Sequence, residues 1–322
     1  MPVRVDIQRT GTFTKLADKT TIIGELPPRL NEDPNLYGQL REEMDLRLGC
    51  EDWKDPGWGD QFDSFFDYLK KTTEKRSSLR ETLGADFVSN RRNIMVIAKS
   101  AFEIKPMNIQ AIKKDGVIFL CDKDPEKSSF YINSTSETSG HKFERYLTLK
   151  RDGEPFDKYE KLTTDECSKA VFRTTVSSGS ESIKLLYAAE IDAMDSKGNF
   201  VEMKATGICY TKWLERRSLS DYLQSYFAGV SYILYGRKVF RDWHFINRVD
   251  KQYTSSIPKC RVKWNKEKCF EQLFNVLNKI KSKLEYDDDA LVLKLTEGGV
   301  FFEPECSKNC TFMNQDFFNH FE

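Results

Sequence analysis

The sequence predicts a mixed α+β fold in which helices pack around strongly twisted sheets. Three observations carry that expectation. The middle of the chain is a run of short segments with alternating apolar residues, separated by polar turns, as consecutive antiparallel strands require. Segments with three- and four-residue apolar spacing stand before and after that run, as core-facing helices require. The chain has 322 residues, 39% hydrophobic and 13% aromatic, which is enough for a sizeable core. No repeat, low-complexity linker or break divides it, so 1–322 is expected to form a single domain with 1–34 as an extended N-terminal arm.

In chain order, the doublet Pro27-Pro28 and then Pro34 mark the first 35 or so residues as an extended arm or edge strand followed by loop. Leu36, Leu40, Met44 and Leu48 recur every four residues and predict a helix over 35–48. Residues 52–60 hold Trp53, Pro56, Gly57, Trp58 and Gly59 and read as loop. Phe62, Phe65, Phe66 and Leu69 form the stripe of a firmer helix. Strands are expected at 93–98, 108–112, 117–121, 129–132, 141–147, 169–176, 183–193 and 199–208. A helix over 218–234, capped by Ser218 or Ser220, presents Leu219, Tyr222, Leu223, Tyr226, Phe227 and Val230, with Gln224 off that face. A second long helix covers 266–284, and a hairpin of 291–295 with 300–303 turns at Gly298-Gly299.

Composition narrows the function. The 50 basic and 50 acidic side chains cancel, which argues against a protein that coats nucleic acid by charge alone. The N-terminus has no apolar signal region, and no stretch approaches the roughly 18 apolar residues of a membrane span. A nuclear or cytoplasmic place is therefore expected, not secretion. The eight scattered cysteines then read as free thiols. With three histidines and no partner motif, Ser/His/Asp or Cys/His catalysis has no support. A phosphate-cradling glycine loop is also missing from the sequence.

The chemistry gathers between Tyr187 and Thr206, which reads as two strands joined at Ser196-Lys197-Gly198, with Gly198 free to turn left-handed. Glu190 and Asp192 share a face of the first strand, and Glu202 and Lys204 share one of the second. That loop sets Asp192 opposite Glu202 and Glu190 opposite Lys204. Like charges across a sheet destabilise it. One lysine cannot offset three carboxylates, and Mg²⁺ or Mn²⁺ with hard oxygen ligands would. The pattern alone fits an ordinary solvated hairpin equally well.

Further pieces join the hairpin: Glu144 in Gly140-His141-Lys142-Phe143-Glu144, read as a strand on which Lys142 and Glu144 share a face; Gln224 in Leu223-Gln224-Ser225-Tyr226; and Arg91 in Phe87-Val88-Ser89-Asn90-Arg91-Arg92. The ordered set, Gly-x-x-x-Glu, E-x-D, E-x-K, then Gln-Ser, with an arginine upstream, resembles the DXO family of decapping exoribonucleases, which includes the fungal partners of the nuclear 5′→3′ exoribonuclease. The resemblance spans roughly residues 35–305. It implies a twisted two-sheet fold and an active site similar to the PD-D/E-x-K nucleases. It also implies metal-dependent hydrolysis at RNA 5′ ends: removal of triphosphates, incomplete guanosine caps or metabolite caps and, for some members, 5′→3′ degradation. By motif, Glu144, Glu190, Asp192 and Glu202 would ligate two divalent ions, Lys204 would stand beside the scissile phosphate, and Arg91 and Gln224 would contact the 5′ nucleotide. The catalytic set is Glu190, Asp192, Glu202 and Lys204.

Two positions depart from the family pattern. Asn90-Arg91-Arg92 stands where the family shows Trp-Arg-Gly, which leaves open which arginine serves, and Ser231 replaces a proline. The drifted arginine motif also fits a catalytically weak member that binds RNA ends or a partner nuclease. A DNA endonuclease with a similar metal core is a third expectation.

Overall fold

Apolar alternation puts most of the middle of the chain into strands, and the strands sort into two sheets. The structure, a computed structural model, describes residues 2–51, 53, 60–123, 134–163 and 166–322. The chain opens with strands β1 (Arg4–Lys15), β2 (Thr21–Ile23) and β3 (Gly38–Asp45), then helices α1 (Asp63–Thr72) and α2 (Leu79–Leu83). Next come β4 (Phe87–Asn90), α3 (Arg91–Lys99), β5 (Met107–Lys114), β6 (Val117–Asp122) and α4 (Ser134–Leu147). The centre is β7 (Cys167–Ser178), β8 (Glu181–Glu190), β9 (Ala193–Met194) and β10 (Phe200–Thr206). It leads into α5 (Tyr210–Arg216), α6 (Ser218–Phe227), β11 (Val230–Val239) and β12 (Asp242–Tyr253). The chain ends with α7 (Lys266–Lys283), β13 (Ala290–Thr296), β14 (Gly299–Glu305) and α8 (Gln315–Phe318). No helix among the described residues is long and apolar enough to cross a membrane.

The larger sheet has the order β14-β13-β5-β6-β4-β8-β7-β1-β2, and the smaller the order β3-β12-β11-β10-β9. Both are mixed: β4 runs parallel to β6 and β8, and β10 parallel to β11. The parallel β10–β11 pair needs a crossover, which α5 and α6 supply. The chain passes from one sheet to the other within two residues, Ile191 and Asp192, between β8 and β9.

Three apolar clusters fix the helices. Ile94, Ile97, Leu223, Phe227, Leu273 and Leu277 bring α3, α6 and α7 against one face of the larger sheet. The opposite face packs on α1 and α8, where the Phe66 and Phe317 rings stack with centroids 4.0 Å apart. Phe143 and Leu147 seat α4 on the smaller sheet against Val201, Leu234 and Ile246.

The structure corrects several sequence expectations. The first strand is not a free arm: β1 pairs with β7 along its length, and Phe13 is fully buried. Residues 38–45 form a strand instead of a helix, because a four-residue spacing is also an even number, so Leu40 and Met44 share a strand face. Residues 93–98 are helical, since Ile94, Ile97 and Ala98 follow helix spacing and Asn90 caps the first turn by accepting from Asn93 N. Residues 141–147 belong to α4, not to a strand. The helix expected over 218–234 stops at Phe227, where Gly229 takes a φ of 59° and β11 begins. Its first turn has no side-chain cap, and Ser218 Oγ donates to Leu214 O instead. The expected strand at 129–132 and most of the 52–60 loop lie outside the described residues.

Gly236 in β11 carries the seat of α4. A Cβ there would lie 2.7 Å from the Phe143 ring and 2.8 Å from Ile246. Gly236→Ala is expected to destabilise the protein by about 1–3 kcal/mol through overpacking. Gly298→Ala, whose nearest neighbour would be 3.7 Å away, is the control. Melting temperatures of both variants check this.

Candidate active site

The site grows from the crossing between the sheets. The loop at Ser196-Lys197-Gly198 is held by Asp195, whose Oδ1 accepts from the backbone of Lys197 (3.0 Å) and Asn199 (2.8 Å). Gly198 takes a φ of 79°. The ladder pairs Met194 with Phe200 and Ala193 with Val201, so Asp192 falls in line with Glu202, as the loop length predicts. There the ladder ends. Asp192 Oδ2 accepts from Met203 N at 2.6 Å, so the side chain takes over a partner that a strand backbone would otherwise supply. Glu190 is not opposite Lys204: β8 has joined the larger sheet, and Glu190 pairs with Lys169 of β7 at an exposed strand end. Divergence of the two sheets, not a single hairpin, shapes the acidic floor.

Glu202 and Lys204 share a face of β10, and their head groups meet, with Lys204 Nζ donating to Glu202 Oε1 at 2.8 Å. Gln224 on α6 closes a triangle. Its Nε2 donates to Glu202 Oε1 at 2.6 Å, and its Oε1 accepts from Lys204 Nζ at 3.0 Å. Arg91, in the first turn of α3, aims at the same place: NH1 donates to Glu190 O at 3.3 Å and lies 3.8 Å from Glu202 Oε2. Arg92 turns away to Asp122, 3.7 Å off. Arg91 is therefore the arginine that faces the carboxylates. Glu144 reaches the floor from α4, where helical spacing sets His141 beside it, with Nδ1 3.2 Å from Oε2. Lys142 leaves in another direction and donates to Lys158 O.

Electrostatics show the crowding. Burial first, then Glu202, Glu144 and Glu190 in that order, push the Asp192 carboxyl well above its ordinary pKa. Burial works against the Lys204 ammonium, but Glu202 and then Asp221 outweigh it and hold its pKa above the usual lysine value. Among the described residues no three acids, histidines or cysteines converge into a finished cage. The carboxylate oxygens point instead at protein donors: Met203 N, Lys204, Gln224 and His141. The donor set nevertheless fits a hard divalent cation. It is all carboxylate oxygen, and three of the acids, Glu202, Glu144 and Glu190, act on the fourth, Asp192. Two grooves, of 570 and 840 Å³, lie elsewhere, beside Tyr68 and Arg173 and beside Tyr226 and Trp264. Neither includes any of these side chains, and the charged floor is the better guide to chemistry.

All seven predicted residues, Arg91, Glu144, Glu190, Asp192, Glu202, Lys204 and Gln224, thus come to one place. Sequence reasoning missed what stands behind them. Trp213 Nε1 and Tyr235 OH donate to Asp221 Oδ2 at 2.8 and 2.7 Å, in a group whose three members are nearly fully buried. Asp221 lies one turn before Gln224, a spacing visible in the sequence, but the helix reading over 218–234 hid the start of β11, the strand that carries Tyr235.

The family model of RAI1-like PD-(D/E)XK nucleases matches residues 19–314. The decapping nuclease dom-3 of Caenorhabditis elegans is 30% identical over 270 residues, covering 78% of this chain and 67% of that protein. The decapping nuclease RAI1 of Kluyveromyces lactis is 25% identical over 247 residues, covering 67% of this chain and 62% of that one. The chain thus spans about two thirds of the length of these relatives. Among solved structures, Scheffersomyces stipitis Rai1 in complex with (3′-NADP)⁺ and calcium superposes with a TM-score of 0.76 at 16% identity, covering 99% of this chain and 95% of that one. Candida albicans Rai1 in complex with pU5-Mn²⁺ gives 0.73 at 16% identity, covering 98% and 93%. These likenesses extend the match of the two-sheet fold to nearly the whole chain.

The crowded floor makes a prediction about stability. Mg²⁺ or Mn²⁺ at a hundred times its dissociation constant is expected to stabilise the protein by about 2.7 kcal/mol. Asp192→Asn is expected to raise the melting temperature of the metal-free protein and to shrink the metal-dependent rise. Scanning calorimetry with and without the ion checks both.

Proposed function

The chain belongs to the RAI1-like PD-(D/E)XK nuclease family, and on that footing we propose that it is a divalent-metal-dependent hydrolase of RNA 5′ ends. One observation carries the reading most. A carboxylate floor at a sheet crossing faces a lysine, a glutamine amide and an arginine within hydrogen-bond or ion-pair reach. Phosphodiester or pyrophosphate hydrolysis needs those parts: charge for phosphate oxygens, a held water, and anions to seat the cations.

In this reading Glu144, Glu190, Asp192 and Glu202 hold two divalent ions, Mg²⁺ or Mn²⁺. When bound, such ions make water a better nucleophile and neutralise the leaving oxygen of an in-line displacement. The chain's own residues do the rest. Lys204 is fixed between Glu202 and Gln224 and presents its ammonium to the scissile phosphate as a point charge. Gln224 has one donor on Glu202 and an acceptor on Lys204, which leaves a second amide hydrogen for a phosphate or water without adding charge. Arg91 has a guanidinium fork suited to the 5′ phosphate. The bond broken is a P–O bond, and water supplies the incoming oxygen.

The departure at Asn90 has a physical account. Its side chain caps α3 and so sets the first turn, which carries Arg91. The arginine is thus positioned by a capping bond instead of by the bulk of a tryptophan. Kinship with the fungal relatives supports decapping as the activity, with 5′→3′ degradation beyond it as the further option. The same kinship supports work in the nucleus or cytoplasm beside a partner 5′→3′ exoribonuclease.

The test is a panel of RNAs with monophosphate, triphosphate, guanosine-cap, NAD or hydroxyl 5′ ends, incubated with Mn²⁺ or Mg²⁺. At least one capped or phosphorylated end is expected to be released. Asp192→Ala and Lys204→Ala are each expected to lower that turnover roughly 10²–10³-fold. No release from any end with metal shown to be bound would sink the enzyme in favour of an end-binding protein. Equal cleavage of DNA ends would point to a DNA nuclease instead.

A further inference from the structure

Resting on that reading of the site, we propose that Asp221 is a positioning residue: with Trp213 and Tyr235 it clamps α6 to β11 so that Gln224 holds Glu202 and Lys204. The clamp is made of three side chains from the three elements that follow β10. Trp213 comes from α5, Asp221 from α6 and Tyr235 from β11. They are 3%, 2% and 2% exposed, so water does not compete for their hydrogen bonds. One carboxylate oxygen accepts both Trp213 Nε1 and Tyr235 OH, while Trp213 Nε1 also lies 3.0 Å from Tyr235 OH. The two rings meet edge to face at 5.6 Å. Both buried donors are therefore used, and each bond to a carboxylate is of the stronger, charge-assisted kind.

The clamp points at the site by geometry. Tyr235 is the register partner of Lys204 across the β10–β11 ladder, so the two side chains leave the same face of the sheet. Gln224 follows Asp221 by three residues, and positions three apart lie on the same side of a helix. The rotation of α6 that lets Asp221 reach Tyr235 is the rotation that sets Gln224 over Glu202. Asp221 also acts on the Lys204 charge, after Glu202 among the groups that favour it.

The experiment uses Asp221→Leu and the milder Tyr235→Phe, each alone and with Gln224→Ala, on 5′-triphosphate RNA and NAD-capped RNA with Mn²⁺. Melting temperature and the side-chain amide NMR signal of Gln224 are read in parallel. Asp221→Leu is expected to lower kcat about tenfold or more with KM changed less than threefold. Asp221→Asn, which keeps an oxygen for both donors, is expected to restore most of that loss. In the Gln224→Ala background the further loss from Asp221→Leu or Tyr235→Phe is expected to be under twofold, as coupling through Gln224 requires. Full turnover in folded Asp221→Leu and Tyr235→Phe, or the same loss in both backgrounds, would overturn the proposal. If the unaltered protein releases none of the five RNA 5′ ends with metal shown to be bound, the hydrolase reading fails and the NMR signal decides the clamp. A Gln224 amide shifted by Asp221→Leu and Tyr235→Phe supports it, and an unmoved one overturns it.

Discussion

Four carboxylates crowded at the crossing of two sheets, three of them acting on Asp192, are the constraint on which the rest of the structure depends. The chain leaves the larger sheet after Glu190 and enters the smaller one at Ala193, so Asp192 stands where neither sheet can pair it fully. Its side chain takes Met203 N as a partner, and Glu202 and Glu144 close in from β10 and α4. A fold selected for stability alone would not crowd like charges there, since burying ionised groups costs free energy that pairing only partly returns. The remaining elements make sense as supports. The phenylalanine-rich cluster under the larger sheet and the seat of α4 on Gly236 are the apolar frame that holds the acids together against their repulsion.

The positive side of the site is held as firmly as the negative side. Lys204, Gln224 and Arg91 come from a strand and two different helices, yet all meet at Glu202, which is 4% exposed. Residues on rigid elements keep their geometry better than residues on loops. The first turn of α3 is set by the Asn90 cap, and α6 is set by Asp221 against Tyr235. On the proposed reading, a substrate phosphate entering here would meet donors already in place, which avoids reorganisation at the moment of reaction.

Much of the site was legible in the sequence, because each motif is local. The spacing from Asp192 to Glu202 across a three-residue loop fixes their alignment, and the structure keeps that register. E-x-K on one strand brings Glu202 and Lys204 together whatever the sheet does next. What was illegible depends on tertiary context. Nothing local says that β8 and β9 belong to different sheets, so Glu190 was set opposite Lys204 when it pairs with Lys169. Helix and strand periods also overlap in short apolar runs. Leu40 and Met44 fit both and became a strand, while Ile94, Ile97 and Ala98 became a helix through the Asn90 cap. Gly229 ends α6 by turning left-handed, and an apolar stripe alone gave no sign of it.

The central claim is that this floor seats divalent cations at the sheet crossing. The most direct measurement is anomalous diffraction from crystals of the protein soaked in Mn²⁺. The account predicts manganese peaks about 2 Å from carboxylate oxygens of Asp192 and Glu202, with Glu144 or Glu190 completing the set directly or through water. Those peaks should vanish in Asp192→Asn. Manganese bound elsewhere, or absent from the crossing at saturating concentration, would contradict it.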